Sequence, residues 1–205
     1  MGFDRKSGSA ILLITLFSNI AGASGALHST AGACREFAIK ESPSSYVACV
    51  KYLKTVQQTE IPVRPVDLFG PKVWAHYLLR VGGGDEQSLG VAFRLYPLLD
   101  GAEAEDLAAS IAQSVLAMPR VFLKEAYTSD IDSEYISAIV VTTPQSFADN
   151  NQKTMELYDR RLRAINGVKG DAFKATKKAV VEALEDELEN IREVESELKK
   201  SGADN

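Results

Sequence analysis

The stretch DEQSLGVAFRLYPLLDGAEAEDLAASIAQSVLAMPRVFLKEAY (Asp85–Tyr127) decides the fold class of this chain. Its apolar residues recur at helical spacing; Leu107, Ile111 and Val115, for example, follow one another at intervals of four. Proline and an Asp-Gly pair break the pattern into short pieces. The stretch therefore predicts two or three short helices joined by tight turns, packed as stacked helical hairpins.

Polar residues stand where these helices are expected to begin. Asp85 follows three consecutive glycines, which end the preceding helix, so Asp85 is predicted to cap a helix that carries Leu89 and Phe93. Asp100 and Glu103 have the spacing of a capping box, which predicts the start of the next helix.

The flanking sequence continues the helical pattern. Ser42 and Pro43 resemble an N-cap followed by a first helical residue, and a second helix is predicted over Pro71–Arg80. The β-branched segment Tyr135–Thr143 is compatible with a helix or a strand, and we favour a helix because a single strand would have no pairing partner.

Two longer helices are predicted at the C-terminal end, one opening at Thr143-Pro144 and one running from Asp171 to about Lys200. The last helix places its apolar residues three and four apart, and these residues are Val181, Leu184, Leu188, Ile191 and Leu198. Glu195 occupies the position at which the pattern would need one more apolar residue. It either packs on the preceding helix and frays at its end or docks on a partner.

We expect an all-α fold, a single irregular domain over residues 27–200 that ends in this long amphipathic helix pair, with a disordered tail at 201–205.

The N-terminal residues 1–26 have the order of a secretory signal peptide. Arg5 and Lys6 precede the apolar run Ala10–Phe17, and Ala21-Gly22-Ala23 offers a cleavage site. A retained membrane anchor would need about 20 mostly apolar residues, and an ordinary N-terminal segment is the other alternative. We expect cleavage, export to the periplasm or the outside of the cell, and no stable membrane anchor afterwards.

The two cysteines, Cys34 and Cys49, are both downstream of the predicted cleavage site. In an exported protein such a pair is most simply a disulfide, which here would tie an otherwise loose segment (Leu27–Lys40) to the first helix. A redox pair or two metal thiolates are the alternatives, but spacing to the only histidines, His28 and His76, matches no zinc pattern. No metal or cofactor is predicted.

The charge of the chain argues against nucleic acid as a partner. It carries 23 Lys and Arg and 28 Asp and Glu, a net charge of −5. Without residues 1–26 it keeps 21 basic and 27 acidic residues, a net charge of −6. An acidic protein without a basic stripe gains no attraction to phosphate backbones.

Catalytic patterns are weak. With only two histidines, a serine or cysteine hydrolase would have little choice of base, and the Gly82-Gly83-Gly84 run, which follows a helix, lacks the Lys and Ser/Thr of a phosphate loop. Carboxylates cluster at three places, each also typical of a capped or solvated helix: Glu103, Glu105 and Asp106; Asp130, Asp132 and Glu134; Glu185, Asp186 and Glu187. We therefore do not predict an enzyme.

Trp74, Tyr77 and Arg80 share one face of the second predicted helix and are the candidate partner-binding residues, since these residue types dominate interface hot spots. The alternative is that both aromatics belong to the core.

We expect an exported, non-enzymatic protein that binds a protein partner in the cell envelope, as an inhibitor or immunity-type protein, a chaperone or an adaptor. The alternatives are an envelope hydrolase with paired carboxylates and a carrier of small apolar ligands between its helices.

Overall fold

A computed structural model describes residues 32–59, 63–147 and 150–202. Within these ranges the chain forms helices and no strand, so the predicted all-α class is confirmed. The α-helices in chain order are α1 (32–40), α2 (Pro43–Thr59), α3 (Pro65–Phe69), α4 (Pro71–Gly82), α5 (Glu86–Leu95), α6 (Gly101–Ala117), α7 (Pro119–Thr128), α8 (Ser133–Val140), α9 (Asn151–Asn166) and α10 (Lys174–Gly202). Single 3-10 turns lie at Tyr96–Leu98 and Gln145–Phe147. The predicted signal peptide and His28 lie outside the described residues.

Helix α5 is the centre of the fold. Every residue from Ser88 to Leu95 is buried, because α2, α4, α6 and α7 all pack against this helix. From Leu89 to Leu95 its residues are apolar or glycine except for Arg94, while Glu86 and Gln87 in the first turn keep contact with solvent. Around this centre α4 packs on α6, and α10 packs on α8 and α9.

Two of the predicted helix caps are present and one is wrong. Ser42 Oγ accepts a hydrogen bond from the Ser45 amide at 3.2 Å, and Asp85 Oδ1 accepts one from the Ser88 amide at 2.8 Å. Asp100 makes no side-chain cap to α6. The reason lies in Gly101, whose φ of 56° is in the left-handed region, so the backbone enters α6 without the usual cap geometry.

The segment that could have been helix or strand is helix α8, capped by Asp132, which accepts from the Glu134 amide at 3.1 Å. The prediction of a helix opening at Pro144 is wrong, because α9 begins at Asn151. Asn150 caps α9 by accepting from the Lys153 amide at 2.9 Å.

The last helix was predicted to begin at Asp171 and begins at Lys174. Its packing against α9 is as predicted, and Lys177 donates hydrogen bonds back to the carbonyls of Asn166 and Val168. The helix continues to Gly202, into the segment predicted to be a disordered tail.

Helix α9 holds the C-terminal end of α8. Tyr158 donates to the Val141 carbonyl at 2.6 Å, and the buried Arg161 donates to the carbonyls of Val140 and Thr142 at 2.7 and 2.8 Å. These carbonyls have no partner within α8, so the two side chains satisfy them and complement the negative end of the helix dipole. Burial lowers the pKa of Arg161 to about 10, which keeps the guanidinium charged at neutral pH.

Cys34 and Cys49 are buried and lie at disulfide distance, with the two sulfur atoms 2.04 Å apart. The bond joins α1 to α2. The segment that precedes α2 was expected to be loose, but residues 32–40 are helical and bury Phe37 against the Tyr46 ring, with 5.7 Å between the ring centroids.

Replacing both cysteines by alanine (C34A/C49A) should lower the free energy of unfolding by about 3 kcal/mol, because the bond closes a loop of 15 residues in the unfolded chain. Urea unfolding with and without reductant measures the loss. Reductant should lower the midpoint of the natural chain to that of the variant and leave the variant unchanged. If the urea midpoint of the natural chain did not change with reductant and equalled that of the variant, a stabilising bond would be contradicted.

Candidate functional site

Trp74 and Tyr77, two of the predicted partner-binding residues, lie in the core. Tyr77 stacks on Phe69 with 5.0 Å between ring centroids, and its hydroxyl donates to the Ser88 carbonyl at 2.8 Å. Trp74 stacks on Tyr77 at 5.7 Å. Both aromatic side chains therefore contact the interior of the chain and offer almost no surface to a partner.

Arg80, the third of these residues, is occupied by contacts within the chain. Its guanidinium pairs with Glu41 and Asp85 at 3.0 Å each and lies 5.5 Å from the centre of the Phe37 ring. Burial opposes the ionisation of Asp85, but hydrogen bonds from Ser88 and the charge of Arg80 outweigh it and lower the pKa of Asp85. Arg80 thus fastens α1 to the α4–α5 turn.

The histidine and the carboxylates that were considered for catalysis lie on the surface of several helices. His76 is exposed on α4, and the three carboxylate clusters lie on different elements, at the start of α6, at the α7–α8 turn and along α10. Among the described residues no group of three or more His, Cys, Asp or Glu is arranged to hold a metal ion.

A buried polar cluster, which we call the Arg94 cluster, was not predicted. Arg94 of α5 is only 9% exposed, and it donates to the Gly90 carbonyl, to Ser129 Oγ at 2.9 Å and to the Thr128 carbonyl at 3.0 Å. All three acceptors are neutral. Its Nε has no acceptor, and within the described ranges no carboxylate lies within 4.0 Å of the guanidinium.

Glu125 of α7 completes the cluster. It is 5% exposed, and burial raises its pKa above the ordinary value of 4.5. A Cβ on Gly90 would lie 2.6 Å from Glu125 Oε2 and 2.9 Å from the Tyr46 hydroxyl. Glycine at this position therefore lets α2 and α7 bring polar groups against the backbone of α5.

A groove of about 460 Å³ opens beside Arg94, and we call it the polar groove. Its walls come from α2, the end of α5, the α7–α8 turn and the start of α8. The residues that line it are Lys54, Gln57, Phe93, Arg94, Pro97, Leu98, Thr128, Ser129, Asp130, Ile131, Asp132 and Tyr135. Asp130 holds a φ of 53°, a conformation that Asp tolerates better than most residues.

The C-terminal part of α10, residues 191–202, is the other feature that the fold leaves accessible, and we call it the α10 extension. Over residues 174–200 of the helix, Leu188 is the last buried residue, Ile191 is half-buried, and every residue from 196 to 200 is exposed. Val194 and Leu198 are 52% and 63% exposed. The apolar spacing of α10 thus continues past the helices on which it packs.

The sequence carried weak signals for the Arg94 cluster. Gly90 costs about 1 kcal/mol relative to Ala inside a helix, which can mark a close approach of another group. Arg94 and Glu125 each interrupt an apolar run. The helices that pack against Arg94 and Glu125 are determined by tertiary structure, so residue spacing alone could not predict that these two side chains lie in one cluster.

Comparison of the chain with family models, curated proteins and solved structures gave no match. Among the described helices, none is both long and apolar enough to span a bilayer.

Replacing Gly90 by alanine (G90A) should lower the free energy of unfolding by about 1 to 3 kcal/mol, because the methyl group overlaps Glu125 and Tyr46 in a packed interior. Chemical denaturation measures the change. The added substitution Tyr46→Phe removes one of the two close atoms and should recover part of the loss.

Gly82→Ala is the matched control, since the side chain that its Cβ would meet, that of Gln113, is exposed and free to move. If G90A is as stable as the control or more stable, the close packing around Gly90 is contradicted.

Proposed function

We propose that this protein is exported and acts without catalysis, by binding a protein partner through the α10 extension. The observation that supports this most strongly is the apolar stripe of Ile191, Val194 and Leu198, which have the i, i+3, i+7 spacing of helices that dock in apolar grooves. Two of the three side chains are more than half exposed.

The rest of α10 is built to present this stripe. Val180, Leu184 and Leu188 are buried where the helix packs on α8 and α9, so its first half is anchored in the domain. The twelve residues of the extension, 191–202, rise about 18 Å along the helix axis. A helix that is already formed and anchored loses less conformational entropy on binding than a disordered segment does.

The stripe fits a partner other than a second copy of the chain. Glu195 flanks the apolar residues, and a symmetric pairing of two extensions would bring two carboxylates to one seam at a cost in desolvation. A groove with a basic residue opposite Glu195 would avoid that cost. Arg192, Glu193, Glu197, Lys199 and Lys200 are charged and exposed and form a polar rim.

Export is supported by the signal-like order of residues 1–26 and by the two cysteines at disulfide distance, because such bonds persist in oxidising compartments. The working form would then begin between Ser24 and Leu27. An inhibitor, a chaperone and an adaptor would each use the extension in the same way.

Photo-crosslinking in the source cell tests the proposal. A photoreactive residue at position 194 should give one discrete adduct with a different protein, whereas the same residue at the exposed position 196, on the opposite face of the helix, should give none. The added substitution Leu198→Glu should abolish the adduct, because a charge would enter the apolar groove.

In the same experiment, the intact mass of this protein, recovered from the adduct, shows which residue is its first. Equal adducts from positions 194 and 196, or none from 194, would overturn docking through the stripe, and an adduct of two copies would overturn the choice of partner. A captured chain that still begins at Met1 would overturn export.

A further inference from the structure

We propose that the polar groove binds a small zwitterion of the amino-acid class, with the ligand's carboxylate at Arg94 and Lys54 and its ammonium at Asp130 and Asp132. This site is separate from the α10 extension, and its occupation does not depend on docking.

The need for an anion comes from Arg94. Buried charges in proteins are normally paired with an opposite charge, because removing an ion from water is costly. Arg94 is 9% exposed, yet its acceptors are two carbonyls and a hydroxyl, and its Nε has no acceptor. Glu125 of the same cluster interacts electrostatically with Arg94 but lies more than 4.0 Å from its guanidinium nitrogens. Since Arg94 lines the groove, a carboxylate placed there would be the first, relative to the described residues, to contact it directly.

Lys54 adds a second positive charge to the same site. It lies on the α2 wall of the groove, and within the described residues it has no acidic partner. An anion between Lys54 and Arg94 would be held from two helices. A guanidinium with a carboxylate forms one of the stronger polar contacts available to proteins.

The opposite charge lines the α7–α8 turn. Asp130 and Asp132 are both exposed and both line the groove. Their positions are fixed by the backbone, because Asp130 holds a φ of 53° and Asp132 caps α8 through the Glu134 amide. One groove with cations on one wall and carboxylates on another matches a ligand that carries both charges.

The size and the remaining walls limit the ligand. A groove of about 460 Å³ is at the lower end of the usual range of ligand sites, which favours a single amino acid or a dipeptide. Pro97, Leu98 and Ile131 supply apolar surface for a side chain. The Tyr135 ring, in edge contact with Tyr96 at 5.8 Å between centroids, also lines the groove.

Calorimetric titration of the oxidised protein with alanyl-alanine tests the assignment. N-acetyl-alanyl-alanine lacks the ammonium, and alanyl-alanine amide lacks the carboxylate. We expect saturable binding of the dipeptide and about tenfold weaker binding of each blocked form, because each loses one charged hydrogen-bonding group.

Variants assign each charge to a wall of the groove. Lys54→Ala should weaken dipeptide binding about two- to fivefold, as expected for an exposed ion pair, whereas Lys51→Ala, one turn earlier on the exposed side of α2, should not. Asp130→Asn keeps the residue's tolerance for positive φ and should weaken binding of the dipeptide but not of its N-acetyl form.

Inorganic phosphate is the comparison for a plain anion site. Phosphate or the N-acetyl form binding as tightly as the dipeptide would overturn the zwitterionic assignment. Absence of saturable binding by every probe, or equal effects of Lys54→Ala and Lys51→Ala, would overturn the site itself.

Discussion

The complete burial of α5 is the constraint on which the rest of the structure depends. A helix whose residues 88–95 all lie inside the protein must be covered on every side, and α2, α4, α6 and α7 provide that cover. Polar groups on α5 then need partners from those neighbours, because an unsatisfied buried group costs about 1 to 3 kcal/mol. Arg94 meets part of this need by reaching the α7–α8 turn, and Gly90 leaves room for Tyr46 and Glu125 close to the helix backbone.

Arg94 also links the core to the surface. Its hydrogen bonds to Thr128 and Ser129 hold the turn that forms one wall of the polar groove, and among the described residues no carboxylate lies within 4.0 Å of its guanidinium, although Glu125 interacts with it from farther away. The same side chain that is buried in the core therefore also places a positive charge at the wall of the groove. The α10 extension arises in a different way, because α10 is longer than the helices α8 and α9 on which it packs.

Much of the fold could be predicted because local spacing and helix breakers determine it. The glycines before Asp85 and the prolines Pro43 and Pro71 marked real helix boundaries, whereas Pro144 does not begin an α-helix and the Asp100 cap failed because of the positive φ of Gly101. The candidate site was harder to predict. The spacing of Trp74 and Tyr77 showed a shared face but not that the face points inward, and the Arg94 cluster depends on which helices meet.

The central claim is that one domain packed around α5 presents a formed α10 extension with an exposed apolar stripe. Amide hydrogen exchange of the isolated protein, followed residue by residue, tests this most directly. We expect the amides of residues 89–95 to exchange only through global unfolding and those of 191–200 to exchange far faster, through fraying of an exposed helix end. Protection of the extension equal to that of α5 would show that the extension is already covered and would contradict the account.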